Sequence, residues 1–303
     1  MEGSPGQKIE SKDYERFIPL DKYWIIRMGV LDLQHGFRDI NKFLSEQKDL
    51  GGDLAALKRV CEAWDKKDEP FNVGESGTIY RIVRFILWKQ GSNREIKTEG
   101  SLTKRINDGL VTQDPNIVNN SLDELARLDK GTTQWVTAAI LTGSKDKLSV
   151  SKFFNDMTYE AMDHWQKQRD KNEVWIPRKD VVLTRQAEYF LALLNGKSAV
   201  FVSTNPDDYC FARAFDLITK EEGEEKFPEA EGHESNRFDE MEKVIAQAQA
   251  GEEIDSGDHR VVQAMAMWGK VNKKELRFTE DARQAVNKSW PLFWEFLEEV
   301  TKK

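Results

Sequence analysis

Five short turns along the 303-residue chain carry residue types that hold small anions. Gly77, Thr78 and Arg81 stand in "GESGTIYR", and Thr132, Thr133 and Gln134 in "GTTQW". Ser149 and Ser151 stand in "SVSKFF", His233, Glu234 and Arg237 in "GHESNR", and Asp258, His259 and Arg260 in "SGDHR". Each turn precedes an apolar helical pattern. A helix N-terminus offers backbone N–H groups and the positive end of a dipole, which suits a phosphate or carboxylate. Glycine lets a ligand approach the backbone closely, and arginine adds parallel donors to the same anion. Taken singly, each turn reads equally well as an ordinary N-cap, worth about 1 kcal/mol to its helix. Their recurrence points to anion binding.

The elements that must position these turns are mostly helices. Ile79, Ile82, Val83, Ile86 and Leu87 follow helical spacing, as do Ala187, Phe190, Leu191 and Leu194, and Val261, Ala264, Met265 and Trp268. Further helices are expected near 22–35, 53–65, 133–142, 152–167, 208–219, 234–249 and 290–301. Strand candidates lie at Val111–Thr112, Val174–Ile176, Ala199–Ser203 and Leu276–Thr279, and the Gly-Lys-Ser at 196–198 reads as a helix stop leading into a strand. Helices alternating with short strands favour a layered α/β or α+β fold. The acidic stretch 220–232, with its Pro and Gly, reads as a surface loop.

Composition narrows the function classes. Hydrophobic residues make up 39% of the chain, with nine Trp, enough for a packed core. No apolar run approaches the roughly 18–20 residues of a membrane span. A net charge of −8 disfavours a broad nucleic-acid surface, though a local basic cluster can still hold a small anion. Cys61 and Cys210 are the only cysteines, so a disulfide framework is not expected, and a cytoplasmic location is. The opening stretch lacks a signal peptide's apolar segment. No Cys/His group has metal-ligand spacing.

The motifs also occur in an order that resembles the enolpyruvyl transferases, the 3-phosphoshikimate 1-carboxyvinyltransferases (EPSP synthases) above all. "IPLDKYWIIRMGVLDL" is similar to that family's Pro-x-Ser-Lys-Ser-x-x-x-Arg opening, and "GESGTIYR" to its Gly-Asn-Ala/Ser-Gly-Thr-x-x-Arg. "SLTKRIND" resembles the Arg-x-Arg-Pro segment, "TTQWVTAAIL" Ser-Ser-Gln-Phe-x-Thr-Ala-Leu-Leu, and "SVSKFFNDMT" Ser-Lys-Pro-Tyr-Ile-Asp-x-Thr. "RQAEYFLAL", "GHESNRFDEM", "GDHRVVQAMAMWG" and "VNKSWPLFWEFL" complete nine islands, running from Pro19 almost to the C-terminus.

The resemblance implies a two-lobed α/β (α+β) fold built from βαβαββ units, with part of the C-terminal lobe missing and an active site between the lobes. One lobe would span 21–171, and the other 1–20 plus 172–303. The implied reaction moves the enolpyruvyl group of phosphoenolpyruvate to a hydroxyl of 3-phosphoshikimate or a related phosphorylated acceptor, a step of the shikimate pathway to aromatic amino acids. Lys22, Glu234 and His259 would be catalytic. Phosphoenolpyruvate would be held by Lys22, Gly77, Arg105, Gln134, Arg237, Arg260 and Lys288, and the acceptor by Arg27, Thr132, Thr133, Gln134 and Ser151. Bringing two polyanions together costs Coulomb energy unless cations offset it. No cofactor or metal is implied, and the partners would be the two anionic substrates, with neither nucleic acid nor membrane, in a monomer or a dimer.

The chain also departs from the pattern. It is shorter, and the family's unit carrying a general-base Asp in a Pro-Asp-Ala-Ala-Met-like turn shrinks to the acidic loop between Asp208 and His233. Asp207, Asp208, Glu75 and Glu234 are the candidate substitutes. Tyr23, Glu75, Phe154 and His233 stand where the family has Ser, Asn, Tyr and Lys. The remaining reading is a relative that binds an anionic metabolite or a protein partner without chemistry. Trp290 and Trp294 read as core.

Overall fold

The computed structural model describes residues 13–113, 122–130, 133–143, 156–171, 177–203, 205–231 and 236–302. They form two compact units: a central unit, Leu20–Arg178, and a terminal unit made of the chain up to Pro19 together with Lys179–Lys303. Each has its own apolar core.

The central unit starts with α1 (Lys22–Gln34), capped by Asp21, whose side chain accepts the Trp24 N–H at 3.0 Å. Trp24, Ile25, Ile26, Met28, Val30, Leu31 and Leu33 bury nearly the whole circumference of α1, as expected of a helix inside a core. Around it pack α2 (Asp39–Glu46), α3 (Gly52–Ala63), α7 (Gln134–Leu141) and α8 (Asp156–Lys171). The buried Asp32 of α1 accepts from Trp165 Nε1 at 2.8 Å, from the Ile40 N–H at 3.1 Å and from Arg169 Nη2 at 2.6 Å, tying α1, α2 and α8 together. Between α3 and α7 run β1 (Phe71–Gly74), α4 (Gly77–Lys89), β2 (Ile96–Thr98), α5 (Gly100–Asn107) and the short α6 (Leu122–Leu125). β1 and β2 pair in parallel, Phe71 opposite Ile96 and Gly74 opposite Thr98, and α4 is their crossover.

The terminal unit is helical: α9 (Val181–Leu194), α10 (Tyr209–Ala214), α11 (Lys220–Lys226), α12 (Arg237–Ala250), α13 (His259–Val271), α14 (Glu280–Ala285) and α15 (Phe293–Thr301). Helix α13 is its hub, packing on α9, α10, α12, α14 and α15. Trp290 is fully buried, stacks on Phe296 at 5.0 Å between ring centroids and donates from Nε1 to the Phe17 carbonyl at 2.7 Å. Trp294 is half-buried, and its Nε1 reaches the Arg283 carbonyl at 3.0 Å.

The expected α/β fold of βαβαββ units is overturned. The described residues are mostly helical, and their one sheet is the two-stranded β1–β2 pair. Val111–Thr112 and Ala199–Ser203 form no strand, Leu276–Thr279 contributes only an isolated bridge between Ile254 and Phe278, and Val174–Ile176 lies outside the described residues. At 199–203 the pattern is strand-like: Phe201 packs on Tyr189 and Phe211 while Val200 and Val202 are 90% and 59% exposed. Such a segment becomes a strand only if another segment pairs with it, and among the described residues none does. Gly196 does end α9, in the left-handed region at φ 66°. The acidic stretch expected as a loop begins with α11, closed by a reciprocal cap in which Thr219 and Glu222 each accept the other's backbone N–H.

Candidate functional site

The predicted residues fall into two groups, one in each unit. In the central unit they gather at the start of α4. Ser76 caps this helix, its Oγ accepting the Ile79 N–H at 3.1 Å. The same hydroxyl donates to Asp53 Oδ1 at 2.5 Å, and Asp53 Oδ2 accepts from Lys22 Nζ at 2.8 Å. Lys22 thus reaches the α4 N-terminus through one carboxylate, and both members of that ion pair are largely buried. Gly77 opens α4. A Cβ there would lie 3.0 Å from Arg81 Nη1 and 3.7 Å from Arg105 Nη2, so the missing side chain leaves the first turn of α4 open to two guanidinium groups.

Arg81 and Gln134 complete this cradle. Arg81 Nη1 donates to the Gly77 carbonyl at 3.1 Å and to Gln134 Oε1 at 2.7 Å, and Gln134 Nε2 donates to Thr78 Oγ1 at 2.9 Å. Arg81 Nε is held by Asp129 at 2.7 Å. Burial alone would raise the Asp129 carboxyl, but hydrogen bonds from Thr112, Arg81 and Trp135 hold it below the usual aspartate range. Thr133 occupies the N-cap position of α7, directly before Gln134.

Arg27 lies five residues along α1 from Lys22 and is buried. Its Nε donates to Thr158 Oγ1 at 2.9 Å, Nη1 to the Tyr23 carbonyl at 2.9 Å and Nη2 to Thr137 Oγ1 at 3.4 Å. Desolvation lowers it to about 10.

In the terminal unit Asp207 organises the basic residues. Arg260 grips its carboxylate with two donors, Nε and Nη2, each at 2.9 Å, and Arg237 Nη1 approaches to 3.9 Å. Arg237 Nε also reaches Asp258 at 3.2 Å, and Asp258 caps α13 by accepting the Arg260 N–H at 2.9 Å. Next to Asp207, the fully buried Asp208 accepts from Arg185 and, at 3.1 Å, from Gln186. His259 begins α13 and is 4% exposed. Lys288 ends a short 3₁₀ turn, Val286–Lys288, which Gln263 of α13 approaches through Ser289 at 3.0 Å.

Of the predicted set, Lys22, Gly77, Arg105 and Gln134 come together in the central unit, and Arg237 and Arg260 do so in the terminal unit. Thr132, Ser151 and Glu234 lie outside the described residues, as do Ser149, Phe154 and His233. Glu75, one of the candidate bases, accepts the Ser101 N–H at 2.9 Å at the start of α5, where Gly100 leaves room for it. Asp53 and Asp129 were missed by sequence reasoning. Neither stands in a motif, and each finds its cation only through tertiary contact. Among the described residues there is no group of His, Cys, Asp or Glu fit to hold a metal, and no helix is long and apolar enough to cross a membrane. A cavity of about 430 Å³ in the terminal unit, lined by Arg213, Leu217, Thr219, Lys220 and Glu242 among others, includes none of the predicted residues.

Compared with protein-family models, with curated proteins and with solved structures, the chain matches none.

Proposed function

We propose that the chain binds phosphoenolpyruvate at the start of α4 and transfers its enolpyruvyl group to a hydroxyl of a phosphorylated acceptor, 3-phosphoshikimate or a relative. One observation carries the reading: at Gly77 the Arg81 and Arg105 guanidinium groups come within 3.0 and 3.7 Å of where a Cβ would stand, so both face the first turn of α4. Backbone N–H groups, a helix dipole and guanidinium groups converging on one point suit a small, doubly charged anion. The ordered motifs narrow that anion to phosphoenolpyruvate. The proposal rests on the cradle and the motifs, not on the family's βαβαββ scaffold.

In this reading the acceptor hydroxyl gives its proton to a base as its oxygen bonds to C2 of phosphoenolpyruvate, and C3 takes up a proton to become a methyl group. A proton is then lost from C3 as the bond between C2 and the phosphate's bridging oxygen breaks, and inorganic phosphate leaves with that oxygen. Lys22 and Arg105 lower the Coulomb cost of assembling the anions, and Gln134 orients one of them.

A second reading has support of its own. Asp53 neutralises Lys22, and Asp207 occupies both donors of Arg260. Cations already matched by carboxylates leave less positive charge to stabilise a transition state, which suits a relative that does no chemistry. Mixing the protein with phosphoenolpyruvate and shikimate 3-phosphate and following inorganic phosphate separates the two. Release that needs both substrates supports transfer. Calorimetric binding of phosphoenolpyruvate with no release supports the second reading, and absence of both binding and release removes both.

A further inference from the structure

We infer that Asp129 is a positioning residue for the α4 cradle: it fixes Arg81, and Arg81 in turn fixes which way the side-chain amide of Gln134 points. Where this concerns a ligand, it rests on the proposed anion site. Asp129 has left-handed backbone angles, φ 50° and ψ 46°, which a residue with a side chain adopts at a cost. Its carboxylate, 3% exposed, receives four hydrogen bonds: the Thr112 N–H at 2.8 Å, the Thr112 hydroxyl at 2.6 Å, Trp135 Nε1 at 2.9 Å and Arg81 Nε at 2.7 Å. The Thr112 bonds tie Asp129 to the segment after α5, and the Trp135 bond ties it to α7. The Arg81 bond does something different, because Arg81 is itself only 4% exposed and its next donor, Nη1, is aimed at Gln134 and Gly77.

A guanidinium only donates hydrogen bonds. Whatever part of Gln134 faces Arg81 must therefore be the carbonyl oxygen. The two ends of a glutamine amide are nearly equal in shape, so packing alone chooses poorly between them. With Oε1 committed to Arg81, the NH2 end is turned to Thr78 Oγ1, in the first turn of α4. The relay from Asp129 through Arg81 to Gln134 thus makes Gln134 present donors toward the cradle, the polarity an anion needs. Reversed, the amide would present an oxygen and repel it. Asp129 stands 48 residues from Arg81 in sequence, and no motif marks it.

The test uses the full chain. The side-chain NH2 resonances of Gln134 are identified in 1H–15N spectra by their loss in Gln134→Ala, then compared in the wild type, Asp129→Asn and Thr112→Val. Thr112→Val removes one hydrogen bond to the same carboxylate but leaves Arg81 in place. The inference expects the Gln134 NH2 pair to move or split in Asp129→Asn and to stay put in Thr112→Val. Movement in both variants, or in neither, overturns it. Phosphoenolpyruvate affinity gives the second arm. Asp129→Asn and Gln134→Ala should each weaken binding about tenfold, the loss of one oriented hydrogen bond, and the double variant should be no weaker than either. Losses that multiply in the double variant overturn the relay. A wild type that binds no phosphoenolpyruvate removes the proposed ligand and the cradle's purpose with it, an outcome the NH2 spectra separate from failure of the relay. Should Asp129→Asn not fold, Arg81→Lys, which keeps the charge but changes the donor geometry, is read in the same two ways.

Discussion

Replacing Gly77 with Ala perturbs the cradle by a single methyl group. Gly77 has no positive φ, so alanine suits its backbone, and alanine favours a helix over glycine by up to about 1 kcal/mol. Against this, the new methyl would sit 3.0 Å from Arg81 Nη1. Arg81 cannot swing aside without breaking its bonds to Asp129, Gln134 and the Gly77 carbonyl. A crowded contact of this kind costs about 1–3 kcal/mol, and the neighbour must move only a few tenths of an ångström, which places the cost at the lower end. The two effects nearly cancel, so stability should change by no more than about 1 kcal/mol. The ligand has no such compensation, because the methyl fills the space a phosphate or carboxylate oxygen would enter. Displacing one charge-assisted contact of about 1.5–3 kcal/mol weakens binding by about 10- to 150-fold. Titration calorimetry with phosphoenolpyruvate, paired with thermal melts, reads both quantities. Unchanged affinity in a normally folded Gly77→Ala protein refutes the assignment of the α4 start as the anion site.

Three further outcomes follow from the same contacts. Arg260→Ala strips Asp207 of its two-pronged partner and should lower stability by about 1.5–3 kcal/mol in chemical denaturation. An unchanged denaturation midpoint would show that this pair contributes nothing to the fold. Asp129 has a folded-state pKa below its ordinary value, so its contribution to stability is full above about pH 4 and fades as the pH falls through the folded value. Asp129→Asn should therefore be less stable than the wild type at pH 7, with the gap narrowing on the acid side, as urea midpoints from pH 7 to pH 2.5 would reveal. A gap that stays constant would contradict the ionised pair. Burial pushes the Cys61 thiol up to about 12 and the Cys210 thiol higher still, so neither should react with a thiol reagent at pH 8 until the chain is unfolded. Rapid reaction of the native protein would show that one of them is reachable.

Much of the local structure was legible because it is written in short-range patterns. The α4 helix announces itself through the Ser76 cap and the i, i+3, i+4 run from Ile79 to Leu87, and α13 does so through Asp258 and the run from Val261. Strand pairing is not short-range. Ala199–Ser203 has the composition of a strand and no partner among the described residues, whereas "FNVG" at β1 is too short to stand out yet pairs with β2 across α4. The acidic run with its Gly and Pro reads as loop, and the Thr219–Glu222 cap that starts α11 went unrecognised in it. The site divides in the same way. The arginines and the glycine could be picked out by type and place, but the carboxylates that answer them could not. Asp53 is 31 residues from Lys22, and Asp207 is 53 from Arg260. Cations that converge without a ligand repel one another. In the folded chain Lys22 and Arg260 already have acidic partners, which fits an acidic protein that carries local basic clusters.

The central claim concerns one place, the first turn of α4. The most direct test is a titration of 15N-labelled protein with phosphoenolpyruvate, following backbone amides. The account predicts saturable shifts that are largest at Gly77 and Thr78, with the Gln134 side-chain NH2 moving in step and Arg105→Ala abolishing the response. Saturation centred on other residues, or no shift at Gly77 and Thr78 at millimolar phosphoenolpyruvate, would contradict it.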